Sequence, residues 1–203
     1  MSEPNGLPEG RAGSASAAER QRGLRGHGPV LVLVGPPASG KTTVGTALAA
    51  ALDAAFRDTD QDVEMLTGTT VADIFVTHGE PHFRVLEEQA VARAVAEHEG
   101  VLALGGGAVT SAATRELLVD YGRAGGTVVW LDVDLHSAAK RVGLSRDRPI
   151  LGVNPRAMLR TMLESRAPLY GEVATLTVHT AGRTPEDVVS QVLAHLPGRT
   201  AAT

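Results

Sequence analysis

A glycine-rich motif containing a single lysine is the first chemical signal in this sequence. It reads Gly35-Pro36-Pro37-Ala38-Ser39-Gly40-Lys41-Thr42, which is the spacing of a phosphate-binding loop between a strand and a helix. The backbone N–H groups of such a loop, and of the helix that follows it, surround phosphate oxygens. Lys41 would place a positive charge on the β- and γ-phosphates, and Thr42 would offer its hydroxyl group to Mg²⁺. The motif therefore predicts binding of a nucleoside triphosphate.

Two aspartates in the segment Asp58-Thr59-Asp60 are candidates for metal binding and proton transfer. If the segment is extended, alternate side chains point the same way, so both carboxylates face one cleft. One would hold Mg²⁺ through water, while the other accepts the proton of an attacking hydroxyl group. Asp and Thr are also common turn residues, so a plain turn is the alternative. The phosphate-binding loop upstream favours the functional interpretation.

Glycines and arginines further along the chain extend the candidate site. The segment Gly105-Gly106-Gly107 follows an apolar run, and its missing side chains would let a ligand touch the backbone; a flexible turn is the alternative. Arg84 and Arg166 each offer a planar fork that suits a small carboxylate. Taken alone, either arginine is more typical of a solvated surface position. Glu87, three residues after Arg84, is expected to hold it on a helix face.

Three more arginines flank or lie in a polar segment, 143–154: Arg141, Arg146 and Arg148. Phosphoryl transfer needs positive charge beside the transferring group and exclusion of water. A mobile loop that carries arginine supplies both, and an ordinary surface loop is the alternative.

The composition argues against several other functions. The chain has 203 residues, a net charge of −4, 3% aromatic residues and no cysteine. The acidic balance and the scarcity of aromatic rings argue against nucleic-acid binding, and the lack of cysteine excludes disulfides and thiolate chemistry. No apolar run approaches the roughly 18 residues of a membrane span. Residues 1–28 have the composition of a disordered tail and not of a secretory signal. We expect a cytoplasmic monomer.

The elements that must position these residues alternate between strands and helices. This pattern predicts an α/β fold with a parallel sheet covered on both faces, and ligands bind such sheets at the carboxyl ends of the strands. The phosphate-binding loop, the two aspartates and the three glycines all follow strands. The predicted strands are 30–34, 55–57, 101–104, 127–131 and 176–179. The predicted helices are 42–52, 62–65, 71–78, 80–97, 111–123, 135–142, 155–166 and 184–196.

Taken together and in order, these segments resemble the shikimate kinase family over about residues 30–196. The resemblance implies a P-loop kinase fold, like that of nucleoside monophosphate kinases, with a central parallel five-stranded sheet flanked by helices and a lid. It implies one domain over 29–197, with a substrate-binding region at about 61–92, a lid at about 142–154 and a terminal tail at 198–203. Besides the loop and the aspartates, it rests on Ala72-Asp73-Ile74-Phe75, Gly79-Glu80, Phe83-Arg84, Leu104-Gly105-Gly106-Gly107-Ala108-Val109, Arg148-Pro149-Ile150-Leu151, Arg166-Ala167-Pro168-Leu169-Tyr170 and Val173-Ala174.

The resemblance also implies an activity and roles for residues. The activity is ATP-dependent phosphorylation of the 3-hydroxyl group of shikimate, giving shikimate 3-phosphate and ADP, a step of chorismate and aromatic amino acid biosynthesis. Asp60 would be the base, with Lys41 and Arg148 stabilising the transferring phosphoryl group. Mg²⁺ would be held by Thr42 and, through water, by Asp58. The residues expected to bind ATP are Ala38, Ser39, Gly40, Lys41, Thr42, Thr43, Arg141, Arg148 and Arg183, and those expected to bind shikimate are Asp60, Arg84, Gly105, Gly106, Gly107 and Arg166.

Two other functions remain open at this point. Another small-metabolite kinase, such as a gluconate kinase, would share the phosphate-binding loop but would not need both Arg84 and Arg166 for a ring carboxylate. A nucleotide kinase fits less well, because no segment suggests a pocket that reads a base. A non-catalytic nucleotide-binding regulator would share the fold, and the joint presence of Asp60, Lys41 and Arg148 argues against it.

Overall fold

A computed structural model of the chain describes residues 28–144 and 155–196. The predicted tail up to residue 27 and most of the predicted lid, with Arg146 and Arg148, lie outside these ranges. The strands are β1 (Leu31–Val34), β2 (Phe56–Asp58), β3 (Val101–Ala103), β4 (Val128–Asp132) and β5 (Leu176–His179). The helices are α1 (Lys41–Leu52), α2 (Thr59–Thr67), α3 (Val71–Glu97), α4 (Ala112–Arg123), α5 (Leu135–Leu144), α6 (Pro155–Val173) and α7 (Pro185–His195), with a 3₁₀ turn at Ala108–Thr110.

Within the described residues the strands form one parallel sheet in the order β2-β3-β1-β4-β5, which confirms the predicted architecture. Leu33 of the central strand pairs with Ala103 of β3 on one side and with Val129 of β4 on the other. Strands β2 and β3 thus lie on one side of β1, and β4 and β5 on the other. The loop after β1 therefore lies at the point where the strand order reverses, which is where ligands bind sheets of this kind.

Both faces of the sheet are covered, as the apolar composition of the central strand requires. Alternate residues of β1 point to opposite faces. Leu31 and Leu33 pack with side chains of α1 and α7, whereas Val32 and Val34 pack with side chains of α3, α4 and α6. Because these four side chains are at most 1% exposed, the strand that leads into the phosphate-binding loop is anchored from both sides.

Helices α2 and α3 pack against each other beside the carboxyl end of β2, around a small core of Val63, Ile74 and Phe83. The two helices predicted at 71–78 and 80–97 are both present within α3, and a kink at Gly79 separates them. At the kink, Gly79 has φ 81° and ψ 167°, a conformation that is essentially restricted to glycine.

Two predicted boundaries were wrong in ways that affect the site. The second strand ends at Asp58, one residue later than predicted, and α2 begins at once, at Thr59. Helix α6 does not end at Arg166 but continues through Pro168 to Val173. Proline removes one backbone donor, but burial of Tyr170 and Val173 in the core stabilises the helical turn that follows it. Arg166 is consequently an interior residue of a helix.

No helix in the described ranges is long and apolar enough to cross a membrane.

Candidate active site

The phosphate-binding loop turns sharply between β1 and α1. At Gly35, φ is 150°, and a Cβ atom there would lie 2.6 Å from the carbonyl oxygen of Leu131, so only glycine fits. Ala38 and Gly40 also have positive φ angles, 64° and 98°. Helix α1 begins at Lys41, so the positive end of its dipole points into the loop. This is the backbone geometry of an anion site.

Lys41 folds back over the loop that precedes it. Its Nζ donates to the carbonyl oxygens of Gly35 (2.8 Å) and Pro36 (3.1 Å). These bonds hold the ammonium group at the carboxyl end of β1. Ser39 is 1% exposed and its hydroxyl group lies beside Gly35, so its side chain is packed inside the loop.

Thr42 and Asp58 lie together at the start of α1 and the end of β2. Oγ1 of Thr42 donates to Oδ2 of Asp58 at 3.3 Å. The hydroxyl and carboxylate oxygens are hard ligands of the kind that Mg²⁺ prefers, with water completing its shell. This pair therefore fits the predicted metal site.

Asp60 reaches the site from a helix and not from a strand, so the predicted extended segment with two parallel carboxylates is wrong. Asp58 caps helix α2, and its Oδ1 accepts from the backbone N–H of Asp60 at 3.0 Å. Asp and Thr favour such capping positions, so the strand ends at Asp58, two residues before Asp60. The Asp60 carboxylate still turns into the cleft, where it lies against Gly105.

The three glycines after β3 are enclosed by charged side chains. A Cβ atom on Gly105 would collide with the carboxylates of Asp60 and Glu87, and one on Gly107 would collide with the guanidinium group of Arg84. The backbone N–H of Gly105 donates to Oγ1 of Thr59 at 3.0 Å. These contacts fix the segment, so the flexible-turn alternative is not what the structure shows.

Arg84 is held by two carboxylates and two aromatic rings. Its Nη1 donates to Oε2 of Glu87 at 2.6 Å, which confirms the predicted pair. Its Nη2 and Nε donate to Oε1 of Glu80 at 2.7 and 3.1 Å. The guanidinium carbon lies 5.9 and 5.4 Å from the ring centres of Phe75 and Phe83. The pairing of Glu80 with Arg84 was not predicted from the sequence, although four residues is a pairing distance on a helix.

Glu87 is an acid buried at the base of the cleft, with a side chain only 3% exposed. Burial raises the pKa of its carboxyl group, and the nearby Asp60 carboxylate acts in the same direction, while Arg84 acts against both. The ionised form of Glu87 therefore depends on Arg84, and the two side chains behave as one charged unit.

Arg166 and Tyr170 approach the same glycines from helix α6. Nη1 of Arg166 donates to the carbonyl oxygen of Gly106 at 3.1 Å, and the Tyr170 hydroxyl group donates to that oxygen at 2.6 Å. Burial raises the pKa of Tyr170 to about 12, so its hydroxyl group stays protonated and remains a donor. Arg84 and Arg166 thus converge on neighbouring glycines from two helices that are far apart in sequence.

A second cleft lies on the other side of the phosphate-binding loop. It is a cavity of about 270 Å³ lined by residues of the loop, α1, α5, α7 and the segment after β5. Arg141 donates through Nη1 to the carbonyl oxygen of Ala38 at 3.1 Å, and Arg183 donates to the side chain of Gln191. The lining residues are Ser39, Gly40, Thr43, Val44, Arg141, Thr180, Arg183, Thr184, Pro185 and Val188.

The site thus has two halves that meet at the phosphate-binding loop. One half is a cavity beside α1 and α7, and the other is a cleft with two arginines and two carboxylates beside β3. A phosphate group held by the loop would therefore lie between a molecule bound in one half and a molecule bound in the other. This arrangement suits transfer of a phosphoryl group between two bound molecules.

Comparison with known proteins assigns the chain to a family. A family model described as "Shikimate kinase" matches residues 37–197. The chain belongs to the shikimate kinase family. A shikimate kinase from Salinispora arenicola is 56% identical over 168 residues, which cover 83% of this chain and 98% of that relative. A shikimate kinase from Streptomyces coelicolor is 52% identical over 165 residues, which cover 81% of this chain and 94% of that relative.

Solved structures agree with this assignment. A shikimate kinase from Acinetobacter baumannii in complex with shikimate aligns with a TM-score of 0.76 and 37% identity, covering 85% of this chain and 94% of that one. A gluconokinase from Sinorhizobium meliloti aligns with a TM-score of 0.52 and 25% identity, covering 85% of this chain and 93% of that one. The closer likeness to shikimate kinase favours shikimate over gluconate as acceptor. The predicted activity, phosphorylation of shikimate with ATP as phosphate donor, is thereby confirmed.

Proposed function

We propose that shikimate binds between Arg84 and Arg166 and that its 3-hydroxyl group receives the phosphoryl group at the phosphate-binding loop. The observation that carries this proposal is the convergence of the two arginines. Arg84 packs against Gly107, and Arg166 donates to the carbonyl oxygen of Gly106. Two guanidinium groups around one point suit a ring carboxylate. Glycines between them leave room for the ring.

In this proposal Asp60 is the base. Its carboxylate lies against Gly105, in the same cleft as the arginines. The 3-hydroxyl oxygen attacks the γ-phosphorus atom, the bond from that atom to the oxygen of ADP breaks, and the hydroxyl proton passes to the carboxylate of Asp60. Such a reaction depends on positioning and charge, with little covalent chemistry by the protein.

ATP would lie with its phosphates on residues 38–43 and its base in the cavity beside α7. The positive φ angles of the loop and the start of α1 support the phosphate site. Arg141 and Arg183 line the cavity and are proposed to contact the nucleotide. Lys41 would meet the β- and γ-phosphates. Arg148, which lies outside the described residues, is proposed to stabilise the transferring phosphoryl group.

Mg²⁺ would be held by the hydroxyl group of Thr42 and, through water, by the carboxylate of Asp58. The support for this is the placement of the two oxygens 3.3 Å apart at the phosphate-binding loop. When bound, the ion neutralises charge on the β- and γ-phosphates. Asp58 also orients the site without it, because it caps the helix that carries Asp60.

We further propose that residues 29–197 act as one domain and as a monomer, with residues 61–92 binding shikimate. The support for one domain is that the five strands of the described residues form one sheet. Sedimentation with and without shikimate would test this, and a stable dimer would contradict it.

Release of ADP with different acceptors tests the proposed function. The kinase is incubated with ATP and Mg²⁺, and with shikimate, gluconate or nucleoside monophosphates. Among these acceptors, we expect only shikimate to support turnover. Turnover that prefers gluconate would reassign the acceptor, and no turnover with any acceptor would favour a non-catalytic regulator.

Substitution of Asp60 tests its role as the base. Asp60→Asn keeps the size of the side chain and removes its basicity. We expect kcat to fall by about 10²- to 10⁴-fold, the range of general base catalysis, while the protein stays folded by circular dichroism. Near-normal turnover would remove Asp60 as the base.

A further inference from the structure

Thr180 connects the end of strand β5 to the guanidinium group of Arg141. It directly follows β5 and is 3% exposed. Its Oγ1 donates to the carbonyl oxygen of Asp132 at the end of β4 (3.1 Å) and accepts from Nη1 of Arg141 (3.1 Å). Its own carbonyl oxygen accepts from Nη2 of Arg141 at 3.0 Å. Thr180 is therefore bonded to β4 and accepts two hydrogen bonds from the guanidinium group of Arg141.

Arg141 passes this constraint to the phosphate-binding loop. Its Nη1 also donates to the carbonyl oxygen of Ala38 at 3.1 Å and approaches that of Ser39 at 3.5 Å. Ala38 has φ 64°, a left-handed conformation that a residue with a Cβ atom adopts only at a cost in free energy. Hydrogen bonds to this turn offset that cost and keep the loop in the shape of an anion site.

We propose that Thr180 is a positioning residue for ATP: it orients Arg141, which holds the left-handed turn of the loop at Ala38. The inference rests on the proposed binding of ATP at this loop. Thr180 and Arg141 both line the cavity assigned to the nucleotide. The cleft with Arg84 and Arg166 lies on the other side of the loop, so the effect of Thr180 falls on ATP and not on shikimate.

The chain offers a matched control at the opposite end of the same two strands. Oγ1 of Thr175 accepts from the backbone N–H of Val128 (2.9 Å) and donates to its carbonyl oxygen (3.2 Å). The Thr175 hydroxyl group therefore makes both of its hydrogen bonds to β4, at the amino end of the sheet, whereas the Thr180 hydroxyl group makes one to β4 and one to Arg141. Replacement of Thr175 should lower stability and leave the phosphate-binding loop unchanged.

Steady-state kinetics of three variants test the proposal. Thr180→Val keeps the shape of the side chain and removes both hydroxyl bonds. We expect it to raise the KM for ATP about tenfold, as loss of a hydrogen bond to a charged group does, with little change in the KM for shikimate. Thr180→Ser keeps the hydroxyl group and should restore the KM for ATP. Thr175→Val should lower the melting temperature and leave both KM values unchanged. Equal rises in both KM values for Thr180→Val, or no rise for ATP, would overturn the proposal.

A double-mutant cycle tests the route through Arg141. Because Thr180 acts by orienting Arg141, Thr180→Val should add nothing to the KM for ATP of Arg141→Ala. Additive effects would show that Thr180 acts by another route and would overturn the proposal. Loss of all ATP-dependent turnover in the parent protein would instead refute the proposed function, so the two failures are distinguishable.

Discussion

At the scale of single residues, the site combines two arginines with the hydrogen-bond acceptors that orient them. Arg84 is bonded to Glu87 and Glu80, and Arg166 shares the carbonyl oxygen of Gly106 with Tyr170. A carboxylate ligand must compete with these acceptors or bind beside them. The arginines are therefore held in place before the ligand arrives, which reduces the entropy that binding costs.

Glu87 should make stability depend on pH. Its pKa is raised above the usual 4.5, chiefly by burial, so the folded state holds its proton more tightly than the unfolded state does. Its contribution is most favourable below pH 4.5 and is lost as pH rises through the raised value. Glu87→Gln removes this titration.

We therefore expect the stability of Glu87→Gln relative to the parent to increase as pH rises from about 4 through that window. The measurement is the free energy of unfolding in urea for both proteins between about pH 4 and pH 8. A difference between them that does not change with pH would show that Glu87 titrates at its ordinary value.

Tyr170 should matter for shikimate but not for ATP. Tyr170→Phe removes the donor to Gly106 and leaves that oxygen to Arg166 alone. We expect a stability loss of about 1 kcal/mol and a higher KM for shikimate. Tyr121→Phe is the control, because its hydroxyl group donates to the carbonyl oxygen of Pro29 away from the glycines. If both variants changed only stability, Tyr170 would be a packing residue.

At the scale of elements, the ends and interruptions of the helices determine where the site residues lie. Asp58 caps α2 and so sets where Asp60 lies, and the kink at Gly79 sets the path of α3 towards Arg84. Helix α6 continues past Pro168 because the core holds its last turn. The site depends on these local breaks in regular structure.

Gly79→Ala should disturb the shikimate half of the site. Its backbone angles are ones that alanine adopts only at a cost of about 1–3 kcal/mol. We expect lower stability together with a raised KM for shikimate, because Arg84 lies on the segment that the kink directs. Gly125→Ala is the control: its φ is 88° and a Cβ atom there would meet no atom within 4 Å, so this variant should lose stability through backbone strain and keep a normal KM. A normal KM for Gly79→Ala would contradict this role of the kink.

Residues linked by short sequence spacing could be predicted, and those linked across the fold could not. The phosphate-binding loop and the Arg84–Glu87 pair follow from spacing alone. The bonds from Tyr170 to Gly106 and from Arg141 to Ala38 join residues 64 and 103 positions apart, and no local pattern encodes them. Asp60 was predicted in the cleft for a wrong reason, because the cap at Asp58 converts an extended segment into a helix.

At the scale of the whole molecule, the phosphate-binding loop divides the two ligands. It lies at the reversal of strand order, with the cavity of α1 and α7 on one side and the cleft of α2, α3 and α6 on the other. Substitution of a residue in one half should therefore weaken binding of that half's ligand and leave binding of the other ligand unchanged. The proposed mechanism requires this separation.

Calorimetric titration of Arg166→Ala with shikimate and with ADP tests whether the two halves bind their ligands independently. Arg156→Ala, an exposed position on the same helix, is the control for a lost positive charge. We predict that Arg166→Ala binds shikimate at least about tenfold more weakly, since it loses a charge-assisted pair, and binds ADP as the parent does. Equal weakening of both ligands, or unchanged binding of shikimate, would contradict the division of the site.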